Sequence, residues 1–97
     1  MSRPDTVRAA VVQAAPRPFD TPAAVEKVVA MTREAAADGA ELVLFPEAYV
    51  GGYPWGLAFG TAVGGRSEAG RRVWERYWRG AVDVPGPEVD RLAEAAR

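Results

Sequence analysis

Apolar residues fall along this chain in two patterns: short unbroken runs, and stripes at helical spacing. Arg8–Ala15 is a short, mostly apolar segment stopped by Pro16 and Pro18, which predicts a buried strand. Asp20-Thr21-Pro22 then reads as a helix start, with Thr21 as N-cap and Pro22 at the first helical position, where a missing N–H costs nothing. Val25, Val28, Val29, Thr32, Ala35 and Ala36 make one apolar stripe, with Glu26, Lys27, Arg33 and Glu34 largely off it. Gly39 is placed to end the helix through a left-handed backbone. Leu42-Val43-Leu44-Phe45 is unbroken and reads as a strand covered on both faces. Strand, helix and buried strand make a βαβ unit, so the expected fold class is α/β with two parallel strands and a right-handed crossover.

After Pro46 the pattern changes. Tyr49–Gly65 is rich in glycine and aromatics, and loops of that length are usually functional or disordered; the aromatics argue against simple disorder. Ser67 is expected to cap a second helix bearing Val73, Trp74, Tyr77 and Trp78 on a large apolar face. Asp83–Pro87 reads as a rigid turn. Pro87 then opens a third helix on which Val89, Leu92, Ala93 and Ala96 align. That helix reaches Arg97 without a glycine, asparagine or proline to stop it, so the last residue is expected to be a cut rather than a finish.

Composition narrows the chemistry more than the fold. A chain of 97 residues makes one small domain, burying only about 60–65% of its unfolded surface. The 48% hydrophobic and 26% charged content is that of a soluble globular protein. No apolar run approaches a membrane span. Met1–Asp5 lacks the apolar core of a secretory signal, which makes the cytoplasm the expected compartment. Net charge is −1 with both signs interspersed, against the basic face of a nucleic-acid binder. With no Cys and no His there is no thiol nucleophile, imidazole base or disulfide, and no zinc site is expected. Carboxylates, hydroxyls, guanidinium groups and one amine remain. Lys27 is the only lysine.

Glu47, in Phe45-Pro46-Glu47-Ala48, is the residue to examine. Ligands of parallel α/β sheets gather beyond the carboxyl ends of the strands, and Glu47 falls just past one such end. Apolar neighbours would desolvate its carboxylate and favour a general base. A solvated loop acid or a helix cap is the plainer alternative. The arginines of the second helix do not need an anion, because Glu68 and Glu75 lie at helical spacing from Arg72 and Arg79. Gly51-Gly52 and Gly64-Gly65 do not make a phosphate-cradling motif.

Several segments together resemble the nitrilase branch of the carbon–nitrogen hydrolase superfamily. They are Val12-Gln13-Ala14, Leu42–Ala48, Gly52-Tyr53-Pro54-Trp55-Gly56 with Phe59-Gly60 and Val63-Gly64, then Gly70-Arg71, Arg76-Tyr77-Trp78 and Val84–Glu88. The similarity covers nearly the whole chain. Phe-Pro-Glu alone points to the superfamily, and Tyr-Pro-Trp-Gly points to its nitrile-hydrolysing branch. The resemblance implies a four-layer αββα sandwich, of which residues 1–97 are the N-terminal part of a single domain. It also implies a Glu-Lys-Cys catalytic set, with neither metal nor organic cofactor, acting on small nitriles. Glu47 falls on the glutamate, the general base. Lysine and cysteine would lie beyond Arg97, and Lys27, upstream of the glutamate, is expected to be a solvated helix-face charge. The chain alone is therefore expected to be inactive.

By the same resemblance Tyr53 and Trp55 approach the substrate pocket, with packing of the loop onto the sheet as the alternative. Trp74, Tyr77 and Trp78 read as core or as subunit contact, and a homo-oligomer is expected of the complete protein. Two other readings remain. An amidase-type hydrolase fragment would be separated by assay on matched nitriles and amides. A non-catalytic α/β partner-binding module would be monodisperse and fold cooperatively by itself.

Overall fold

A computed structural model of the chain describes residues 5–52 and 67–97. In order, the elements are β1 (Ala9–Val11), α1 (Thr21–Ala37), β2 (Leu42–Leu44), α2 (Glu68–Arg79) and α3 (Pro87–Ala96). The strands pair in parallel, Ala10 opposite Val43, as a βαβ unit requires. β1 is shorter than the apolar run predicts. Its last rung is the Val12 N–H donating to the Leu44 carbonyl at 2.8 Å. Beyond it the chain turns toward Pro16 and Pro18, which have no N–H to continue a ladder.

α1 begins one residue earlier than its sequence suggests. Asp20, not Thr21, is the N-cap: its Oδ1 accepts the Ala23 N–H at 3.1 Å. A carboxylate there also meets the positive end of the helix dipole. Thr21, released from capping, donates its hydroxyl to the Gly80 carbonyl at 2.6 Å and ties α1 to the end of α2. The C-terminus closes as a Schellman motif, with Gly39 N–H donating to Ala36 O and Ala40 N–H to Ala35 O. Gly39 takes φ +94°, the left-handed conformation expected of it.

Ala24, Val25, Val28 and Val29 are buried, whereas Thr32 and Ala35 are half-buried and Ala36 is exposed, so the α1 stripe is covered over its first half. α3 packs along α1, and Arg91 donates to Glu26 across the gap at 3.2 Å. That hydrogen bond raises the Arg91 pKa. The α3 stripe runs through Val89, Leu92 and Ala95, all half-buried, while Ala93 and Ala96 are exposed. Pro87 opens α3 as expected, behind a cis Val84–Pro85 bond.

β2 is not covered on both faces. Ala10 and Val43 are half-buried, but Val11, Leu42 and Leu44 are 71%, 58% and 59% exposed on the other side. The apolar face of α2 is similarly divided: Val73 and Tyr77 are half-buried, whereas Trp74 and Trp78 are exposed. Ser67 caps α2 as predicted, accepting the Gly70 N–H at 3.0 Å. Glu68–Arg72 and Glu75–Arg79 form the expected intrahelical pairs, at 3.5 and 2.7 Å. No helix among the described residues is long and apolar enough to cross a membrane.

Candidate active site

Glu47 stands where the sequence puts it, three residues past the carboxyl end of β2. Pro46 fixes the approach, and residues 47–52 then turn back on themselves. The Gly52 N–H closes the turn onto the carbonyls of Ala48 and Tyr49, at 3.0 and 3.1 Å. Ala48 adopts φ +55° and Gly52 φ +64°. A left-handed alanine is strained by about 1 kcal/mol or more, and such strain persists only where the surroundings enforce it.

Those surroundings belong to the loop after β1. The Tyr49 side chain, 5% exposed, donates its hydroxyl to the Ala15 carbonyl at 3.0 Å. Its ring lies 5.5 Å from that of Phe45, tilted by 42°. The Lys27 ammonium donates to the same Ala15 oxygen at 2.7 Å. At the far end of the turn, a Cβ on Gly52 would stand 2.9 Å from Pro18 Cα, so the backbones meet where only glycine fits. On the α2 side, a Cβ on Gly51 would stand 3.6 Å from the Tyr77 hydroxyl oxygen. The segments leaving the two parallel strands thus meet at two points, hydrogen-bonded at Tyr49 and closely packed at Gly52.

Glu47 itself is exposed and makes no hydrogen bond or ion pair to another described residue. Of its apolar neighbours in sequence, Phe45 is half-buried and Tyr49 buried, and their rings pack against each other. Tyr53 and Trp55 lie outside the described residues. Lys27 is not the solvated helix-face charge expected of it; it is half-buried and bonded to the backbone beyond β1. Among the described residues no three His, Cys, Asp or Glu side chains cluster to hold a metal. A cleft between the start of α1 and the end of α2 (Phe19, Thr21, Arg76, Arg79, Gly80, Glu88) does not include Glu47. Arg76 there lies over the Phe19 ring, 4.2 Å from its centre.

The sequence reading missed Tyr49 and the Ala15 carbonyl. An aromatic pair spaced like Phe45 and Tyr49 was a visible sign of a compact turn, but nothing local to Lys27 marks its partner.

Residues 8–97 match the family model of the carbon–nitrogen hydrolases. The chain is 53% identical over 91 residues to a bifunctional nitrilase/nitrile hydratase of Nicotiana tabacum, covering 94% of this chain and 26% of that protein. It is 52% identical over 92 residues to nitrilase 1 of Arabidopsis thaliana, covering 95% and 27%. It is also 52% identical over 89 residues to an aliphatic nitrilase of Sinorhizobium fredii, covering 92% and 29%. The chain thus spans little more than a quarter of the length of these relatives. With the match running through nearly every residue and at such identity, the chain belongs to the carbon–nitrogen hydrolase family, in which it corresponds to the N-terminal portion of the nitrilase branch.

Proposed function

We propose that this chain is the base-bearing portion of a nitrilase that converts small organic nitriles to carboxylic acid and ammonia. The observation that carries the reading is the place of Glu47: at the carboxyl end of a parallel strand, on a strained turn held to the neighbouring strand's exit. In the proposed reaction Glu47 takes the proton of a cysteine thiol, which is mostly protonated near neutral pH without such a base. The thiolate adds to the nitrile carbon and gives a thioimidate. Water activated by the same carboxylate releases ammonia and leaves a thioester, whose hydrolysis frees the acid. A lysine ammonium offsets the negative charge that develops at each tetrahedral stage. No metal or organic cofactor takes part.

This chain contains no cysteine, and its one lysine is engaged with Ala15, so the reading makes it inactive alone. Tyr53 and Trp55 border the acyl pocket in this proposal. The complete protein is a cytoplasmic αββα sandwich that self-associates. The bare sheet face of Val11, Leu42 and Leu44 supports a further layer, since exposed leucines on a strand are what a packed second sheet covers.

The test is a segment exchange. This chain replaces the matching segment of the Sinorhizobium fredii aliphatic nitrilase, and ammonia release is measured on matched nitriles and amides. The proposal expects turnover of the nitrile by the joined protein and none by the 97-residue chain. Preference for the amide would point to an amidase-type hydrolase instead. Ammonia release by the chain alone would refute the proposed division of the catalytic set.

A further inference from the structure

We propose that Tyr49 is a positioning residue for Glu47, acting with Lys27 through the Ala15 carbonyl; this rests on Glu47 being the base. Burial of the ring alone would be satisfied by phenylalanine. The hydroxyl, however, reaches 34 residues back along the chain to a carbonyl in the segment leaving β1. That oxygen also accepts from Lys27, so two donors occupy its two lone pairs. The chain's only lysine therefore places its ammonium at the end of the sheet where Glu47 stands.

A second approach makes this a clamp. Gly52 lies close against the Pro18 backbone at the far end of the turn, so the turn meets one loop both at Tyr49 and at Gly52. Glu47 is bracketed between Pro46, whose φ is fixed, and Ala48, at φ +55° and followed directly by the Tyr49 anchor. A base must stay within hydrogen-bond reach of the proton it removes, and a displacement of about 1 Å can cost orders of magnitude in rate. The carboxylate makes no bond of its own to a described residue, so its placement rests on the backbone that Tyr49 secures.

Backbone relaxation and amide exchange on the 97-residue chain, wild type against Tyr49→Phe and Lys27→Met, test the clamp. Tyr49→Phe is expected to speed exchange of the Gly52 amide, which closes the turn, about tenfold and to lower the order parameter at Glu47 from the rigid range, while α1 amides keep their protection. The double variant should exceed either single effect, because each substitution removes one of the two side-chain donors to the Ala15 oxygen. Unchanged exchange in the turn, or loss of protection in step across α1, would overturn the proposal. In the segment-exchanged nitrilase, Tyr49→Phe should lower kcat about tenfold with KM unchanged. Full kcat in Tyr49→Phe beside a dead Glu47→Gln rejects the positioning role and leaves the base standing. Activity retained by Glu47→Gln instead removes the base assignment itself.

Discussion

Between Phe45 and Gly52 the backbone must stop a strand, reverse, and touch the loop after β1 within eight residues. Proline ends the pairing, alanine accepts a left-handed φ, and glycine accepts both a left-handed φ and a neighbour at 2.9 Å from any added Cβ. Gly52→Ala therefore faces strain and collision together and should destabilise the fold by about 1–3 kcal/mol, read as a lowered urea midpoint. A loss below a few tenths of a kcal/mol would mean that the turn relaxes away from Pro18. The position of Glu47 was legible from the sequence, because a strand's end is marked by its own residues. Its surroundings were not. The Tyr49–Ala15 bond joins positions 34 apart, and no local pattern encodes that.

At the level of elements, what is local was legible and what is mutual was not. Ser67, Gly39, Pro87 and the two intrahelical ion pairs on α2 behave as their spacing predicts, since each depends on neighbours within a turn. Asp20 and Thr21 show the limit. Either can cap a helix, and the choice is made by Gly80, 59 residues away, which takes the threonine hydroxyl. Asp20→Ala should thus cost about 1 kcal/mol and loosen the first turn of α1. Thr21→Val should leave that turn intact and loosen the end of α2. Amide exchange at Ala23 and Ala81 separates the two, and loss of Ala23 protection in Thr21→Val would restore threonine as the cap. The Arg91–Glu26 bridge spans 65 residues and was equally hidden.

At the scale of the molecule, the buried apolar side chains among the described residues come from four residues of α1 and from Tyr49, while Val11, Leu42 and Leu44 remain open on the sheet. An unbroken Leu-Val-Leu-Phe run reads as a strand with packed material on both faces. The described chain supplies it on one. If a further layer covers this face in the complete protein, Leu44→Ala should cost the 97-residue chain well under 1 kcal/mol, since the side chain is already 59% exposed. In the segment-exchanged nitrilase the same change should cost about 2–4 kcal/mol. Equal small losses in both settings would mean that the face stays open.

All of this turns on the carboxylate at the end of β2. The most direct measurement is single-turnover formation of the enzyme-bound acyl intermediate by the segment-exchanged nitrilase, with and without Glu47→Gln. Removal of the base should slow that step by about a thousandfold, within the range general-base catalysis supplies, with substrate affinity unchanged. A rate within a few-fold of the parent would contradict the account and return Glu47 to an ordinary solvated loop acid.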